Sequence, residues 1–174
     1  PGVTGCAYVL VKPAGGWSGT LHESARLRPS VAQPYDEFGR LVAISGDTVV
    51  VSAYGSDAYG TAAGSAYVFV EPAGGWSGVV TDSARLFAST GRSYDYFGSA
   101  VAIEGQTVVV GAYWVEDSGP FAGAAYVFER PASGWAGAVF ERAKLVASDG
   151  HPYALFGQAV AIEDRISYME PPWW

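Results

Sequence analysis

Cysteine, histidine and methionine are scarce in this chain, which has one Cys (Cys6), two His and one Met among 174 residues. One Cys excludes an intrachain disulfide and any zinc site built on cysteines. On an apolar strand, Cys6 reads as a small core residue. No apolar run reaches the roughly 20 residues that a bilayer-crossing helix needs. There is no signal peptide; the chain opens with Pro-Gly-Val-Thr, which fits a mature form or a fragment. Basic residues are outnumbered, 10 against 17 acidic ones, for a net charge of −7. An acidic surface repels phosphate backbones and anionic lipid, so nucleic acid and membrane insertion are excluded as partners. Helical periodicity is missing too, because Gly interrupts every stretch that could hold a 3.6-residue apolar stripe.

Glycine (23), proline (10) and aromatics (14%) are abundant, and 49% of the chain is hydrophobic. Turn formers mixed with aromatic and β-branched residues suggest many short strands. Those strands recur. GCAYVLVKPAGGWSG begins at Gly5, GSAYVFVEPAGGWSG at Gly64 and GAAYVFERPASGWAG at Gly123, a step of 59 each time. Phe38-Gly39, Phe97-Gly98 and Phe156-Gly157 keep the same step, as do Val42-Ala43-Ile44, Val101-Ala102-Ile103 and Val160-Ala161-Ile162. No insertion or deletion is needed.

Each period predicts four antiparallel strands. Strand A follows Phe-Gly (Arg40–Ser45, Ser99–Glu104), and a two-residue turn leads to the Val-rich strand B (Thr48–Tyr54, Thr107–Tyr113). A Gly-rich loop precedes strand C (Ala66–Glu71, Ala125–Arg130). A Pro-Ala-Gly-Gly-Trp turn then opens strand D (Val80–Ala88, Val139–Ala147). Four strands in such a period are the signature of a β-propeller blade, so the fold class is all-β. Phe38, Phe97 and Phe156, with the Val-Ala-Ile triplets, read as core.

Phe-Gly before strand A, Gly111-Ala112-Tyr113 closing strand B, GSAYVF on strand C and Ala-Arg-Leu or Ala-Lys-Leu on strand D resemble the FG-GAP repeat. The resemblance covers essentially the whole chain. It extends to bacterial FG-GAP proteins and the integrin α-subunit head. It implies a β-propeller, commonly seven-bladed, with an extracellular or cell-surface setting and roles in adhesion or ligand binding; some relatives are lectins. Two departures stand out. Tyr54 and Tyr113 replace the final Pro of Gly-Ala-Pro, and the family's dense Asp-x-Asp-x-Asp-Gly calcium loop is not intact. The B–C loops offer Asp57 in one copy and Glu116 with Asp117 in the other, whereas calcium takes six to eight oxygen ligands. The expectation is therefore no cofactor, with calcium requiring backbone carbonyls and water to complete its shell.

Three periods would be 177 residues, so the chain divides into two complete blades and two halves of a third. Residues 1–34 form a C–D half, 35–93 and 94–152 complete blades, 153–170 an A–B half and 171–174 a tail. Pro171-Pro172 stop any ladder, leaving Trp173-Trp174 as a cloning remnant or an apolar plug. Free half-blades expose unpaired strand edges. The economical arrangement pairs the A–B half of one chain with the C–D half of another, and two chains then close a six-bladed C₂ ring. A nine-bladed trimer, an open filament and a piece of a longer propeller are the alternatives.

No catalytic motif is present. His22 and His151 occupy different repeat positions and read as surface residues, and no GxSxG, HExxH or Walker loop occurs. The repeated aromatics are the binding candidates. Trp17, Trp76 and Trp135 follow a tight turn, and suit either packing between blades or stacking on sugar rings. Tyr35-Asp36 and Tyr94-Asp95 precede Phe-Gly in the inter-blade linker, while the third copy keeps Tyr153 but has Ala154. These pairs suit glycan or peptide recognition, or a hydrogen bond tying one blade to the next. The expected function is non-enzymatic binding or adhesion. A purely structural assembly unit is the second reading, and a propeller enzyme acting on polysaccharide the third.

Overall fold

The computed structural model describes residues 5–31, 33–163 and 166–168. The tail at 171–174 and the end of the predicted A–B half, Met169 and Glu170, lie outside the described residues. The described chain is all-β and forms a partial propeller of about three blades.

The first sheet begins with β1 (Ala7–Val9) and β2 (Ala25–Arg28), an antiparallel C–D pair. Strand β3 (Val42–Ser45) opens the first complete blade. It pairs with β4 (Thr48–Ala53), which pairs with β5 (Ser65–Val70), all antiparallel. Two strands then stand where the sequence predicts a single strand D: β6 (Gly78–Thr81) and β7 (Ala84–Phe87). Only β7 joins β5 in its own blade. Strand β6 leaves and runs parallel to β2 of the preceding blade.

The next blade repeats this plan with β8 (Ala100–Glu104), β9 (Thr107–Ala112) and β10 (Ala124–Glu129). Strand β11 (Gly137–Phe140) crosses back to lie parallel to β7, and β12 (Ala143–Leu145) pairs with β10. A hairpin of β13 (Ala161–Glu163) and β14 (Ile166–Tyr168) follows. The four antiparallel strands of the predicted blade are present in both complete blades, and the middle one gains a fifth: in the order β11-β7-β5-β4-β3 its outermost strand is parallel and lent by the following repeat. Asp82-Ser83 is where the chain switches sheets; the backbone N–H of Ser83 is still bonded to Val68 O at 2.8 Å.

The blades stack through unlike faces. One interface sets Ala7, Val9, Ala25 and Leu27 against Phe38, Tyr67, Phe69 and Trp76 of the next blade. The other sets Ala66, Val68, Ala84 and Leu86 against Phe97, Tyr126, Phe128 and Trp135. Each blade therefore shows a small aliphatic face forward and an aromatic face backward. Phe38 meets Tyr67 and Phe69 edge-on at 5.4 and 6.0 Å, and Phe97 meets Tyr126 and Phe128 at 5.5 and 5.8 Å. These are the centroid spacings that aromatic quadrupoles favour. Each strand-D cation also lies over its cross-strand tyrosine: Arg26 over Tyr8, Arg85 over Tyr67, Lys144 over Tyr126.

The Phe-Gly motif docks backbone on backbone. A Cβ on Gly64 would sit 2.0 Å from the Phe97 carbonyl oxygen, and one on Gly123 would sit 2.2 Å from that of Phe156. Only glycine permits that approach. The core expectation is corrected in the first and third copies: Phe156, Val160 and Ile162 are only partly buried and Ala161 is exposed. Val42 and Ile44 are 59% and 62% exposed, because an A–B hairpin in front of β3, like the one β3 and β4 make in front of β8, is not among the described residues.

Candidate functional site

The linkers entering each blade form the site. Residues at three repeat positions have positive φ without being glycine: Tyr35 (71°), Tyr94 (69°) and Tyr153 (65°), then Glu37 (53°), Tyr96 (53°) and Leu155 (51°), and in the B–C loops Ala62 (49°) and Phe121 (52°). The left-handed region costs an L-residue roughly 1–2 kcal/mol. Cross-blade backbone bonds hold the chain there. The N–H groups of Tyr94 and Tyr153 donate to Thr61 O and Pro120 O, both at 2.7 Å, and Phe97 and Phe156 donate to Ala63 O and Ala122 O. The B–C loop of one blade thus clamps the linker into the next.

This geometry separates the tyrosine from its carboxylate neighbour. Tyr35, Tyr94 and Tyr153 are 83%, 52% and 57% exposed, whereas Asp36 and Asp95 are buried. Asp36 Oδ2 accepts the backbone N–H of Gln33 at 3.0 Å, and Asp95 Oδ2 accepts that of Arg92 at 2.8 Å. Both carboxyls close their own turn. Burial raises the pKa of each, and the backbone N–H opposes that rise only in part. In the third copy Ala154 makes the same turn through its backbone, N–H to His151 O at 3.2 Å.

Two clefts occupy equivalent places between B–C loop and linker. One, of about 310 Å³, is lined by Arg92, Tyr94, Asp95, Trp114, Glu116 and Phe121 among others. The other, of about 400 Å³, presents Gln33, Asp36, Ser56, Asp57 and Arg85. Trp114 and Phe121 stand where the earlier copy has Gly55 and Ala62, so only one cleft is aromatic. An aromatic chain passes through it. Tyr96 stacks on Tyr113 at 6.0 Å and meets Trp114 edge-on at 5.0 Å; Trp114 contacts Phe121 at 4.9 Å, and Phe121 contacts Tyr153 at 5.5 Å. Tyr96 and Phe121 have no aromatic counterpart one repeat away, and Trp114 has one only at Trp173, which is why the repeat pattern did not mark them. Neither histidine lines this cleft.

The three tryptophans separate. Trp76 and Trp135 are 9% and 5% exposed and belong to the inter-blade cores, so they offer no ring face to a ligand. Trp17, at the same repeat position, is 58% exposed. The candidate calcium residues do not assemble a donor set. Asp57 Oδ1 caps its own loop at Ala62 N, 2.7 Å away. Asp117 is bonded to Lys144 and lies 3.5 Å from Arg92, which together hold its carboxyl below the usual range. Glu116 is exposed at the cleft. Among the described residues no three His, Cys, Asp or Glu side chains cluster to hold a metal. These donors do not fit a calcium shell.

Fold and site together define a repeat scaffold of propeller blades whose linkers present aromatic side chains. The sequence model of the FG-GAP repeat matches residues 21–69, 80–128 and 139–166, and the chain belongs to the FG-GAP repeat family. Comparison with curated proteins returns no match.

Proposed function

We propose that the chain is a non-enzymatic binding or adhesion module, acting outside the cell or at its surface, within a propeller completed by more than one chain. Its ligand is a glycan held at the cleft of Tyr94, Trp114 and Phe121. One observation carries the proposal. All three linkers place an exposed tyrosine at positive φ, where glycine would be unstrained. A side chain that costs backbone energy and covers no core serves something other than folding, and strain of this kind concentrates at functional sites.

The cleft chemistry suits a sugar. Partly exposed aromatic rings offer stacking faces, and Arg92 and Glu116 supply a donor and an acceptor beside them. A glycan array probed with the purified chain tests this directly. Binding retained by wild type and lost in Tyr94→Gly and Trp114→Ala, with unchanged folding by circular dichroism, supports the proposal. Binding to protein ligands but no glycan moves the ligand class to protein. Undiminished glycan binding in both variants refutes the site.

A further inference from the structure

The three strand-D cations hold the same repeat position, and one of them has no anion. Arg26 pairs with Glu23 at 3.3 Å, and Lys144 pairs with Asp117. Arg85 makes no ion pair among the described residues, and its buried Nε has no hydrogen-bond partner there. Buried polar atoms are nearly always bonded, so an orphaned guanidinium N–H points to a partner from outside. A single position accounts for the difference. Ala58 stands one repeat before Asp117, so a methyl group occupies the place from which Lys144 receives its carboxylate. The frames around the two cations agree: Tyr67 faces Arg85 across the ladder, and Tyr126 faces Lys144.

Arg85 is also held in place. Its guanidinium carbon lies 4.8 Å from the centre of the Tyr67 ring and 4.9 Å from that of Phe87. Tyr67 is fully buried, and its hydroxyl donates to Val31 O at 2.8 Å. A planar cation packed against two rings presents its fork in a fixed direction, and little further ordering is needed to grip a planar anion. Beside it opens the cleft of about 400 Å³ between linker and B–C loop, which Arg85 and Ala58 both line. Small-ligand sites run from about 300 to 1,000 Å³.

The other walls restrict which anion can enter. Asp36 and Asp57 face the same cleft as acceptors, each with one oxygen already used, by Gln33 N and Ala62 N. Burial raises the Asp36 pKa; the Gln33 N–H and the charge of Arg85 act against that rise, yet no ion pair joins Asp36 to Arg85. Two carboxylates beside one cation disfavour a dense polyanion. They suit a ligand that brings hydroxyl donors next to a single carboxylate. Gln33, at the position of Arg92, adds a neutral donor and acceptor instead of a second cation. A sugar acid has this pattern of groups, and an acidic peptide side chain lacks the hydroxyls.

We infer that this cleft binds a sugar acid, whose carboxylate lies on the Arg85 guanidinium as Asp117 lies on Lys144, and whose hydroxyls meet Asp36, Asp57 and Gln33. Every residue of the site falls between positions 31 and 87, within one linker and one complete blade. None of them lines the Tyr94 cleft, so capture of a neutral glycan there can fail while this site holds, and the reverse.

The Arg85 Nε–H resonance of the nitrogen-15-labelled chain, assigned by its loss in Arg85→Lys, reports on this site alone. It is followed while glucuronyl-galactose, galacturonyl-galactose or neutral galactosyl-galactose is added. At least one of the two acids should shift it, and the neutral disaccharide should not. Ala58→Asp returns the missing carboxylate from an exposed loop position and leaves the blade core untouched. It should shift the resonance without any sugar and weaken the acid at least tenfold. It should also raise the melting temperature, a gain that disappears when Arg85→Gln is added. A resonance that neither acid moves, an equal response to the neutral disaccharide, or acid binding that survives Ala58→Asp would each overturn the inference. A capped peptide with one glutamate that binds as tightly as either acid would overturn the sugar and leave the carboxylate to a protein.

Discussion

Replacing Trp135 with alanine removes the largest side chain between the second and third blade sheets. The ring is 5% exposed and belongs to a core that includes Val68, Ala84 and Leu86 of one blade and Phe128 of the next. A buried aromatic covers roughly 150–250 Å², worth about 4–6 kcal/mol at 25 cal/mol per Å². Measured Trp→Ala losses in cores are about 3–5 kcal/mol. The indole Nε1 has no hydrogen-bond partner, so no bond loss adds to that figure. Trp17→Ala is the internal control, because it is the same substitution at the same repeat position on a ring 58% exposed. In the isolated chain it should stay within about 0.5 kcal/mol of wild type, as exposed substitutions do. Urea unfolding followed by circular dichroism separates the two, at a dilution where sedimentation reports a single chain. With m about 2 kcal/mol/M, Trp135→Ala should lower the midpoint by roughly 1.5–2.5 M. Equal shifts for the two variants would refute the assignment of Trp135 to an inter-blade core and the lending of β11 to the preceding blade with it.

Tyr94→Gly relieves a left-handed residue and should leave stability equal or higher by about 1 kcal/mol, while glycan binding disappears; thermal melts and array binding read the two effects apart. Asp95→Asn keeps an acceptor for the Arg92 N–H and removes a buried charge. Because the folded pKa of Asp95 is raised, its penalty is absent below the unfolded pKa and grows as pH rises through the folded one. Asp95→Asn should therefore stabilise more at pH 7 than at pH 4 in a melting series, and a pH-independent difference would contradict the burial. Glu141→Ala breaks two bonds to Ser89 across a sheet switch and should cost about 1–2 kcal/mol in urea unfolding, whereas Glu129→Ala, whose exposed ion pair with Arg142 spans 3.8 Å, should cost less than about 0.5 kcal/mol.

The 59-residue step, three of the four strand types and the Phe-Gly core are local patterns, and the sequence carries them openly. The lending of β6 and β11 is not local. Val79-Val80-Thr81-Asp82-Ser83-Ala84-Arg85-Leu86 reads as one β-prone run, and parallel pairing with a strand some 50 residues earlier leaves no mark on it. The exposure of Trp17 was equally hidden, since the residue and its neighbours match Trp76; only what lies in front of each differs. The positive φ of Tyr35, Tyr94 and Tyr153 escapes sequence reasoning because tyrosine gives no sign of it. Pairing Tyr94 with Asp95 as one binding unit looked natural on the chain, yet the left-handed backbone turns the ring outward and the carboxyl inward.

The unlike faces of the blades give the repeat a direction, and direction decides which assemblies are physically open to it. A leading aromatic face set against another leading face would crowd Tyr8 and Trp17 on their own copies and leave the Val42–Ile44 groove without a hairpin to fill it. A trailing face set against another trailing face would bring together two β12 edges, neither carrying the left-handed glycine that starts the lent strand. The two self-complementary arrangements therefore leave unpaired backbone and unfilled apolar volume, which cost free energy on both partners. Leading face on trailing face is the junction the chain makes twice within itself, with a lent parallel strand and a serine–carboxylate clamp each time. A heterologous joint of this kind either closes or propagates. Closure is the outcome that leaves no strand edge exposed.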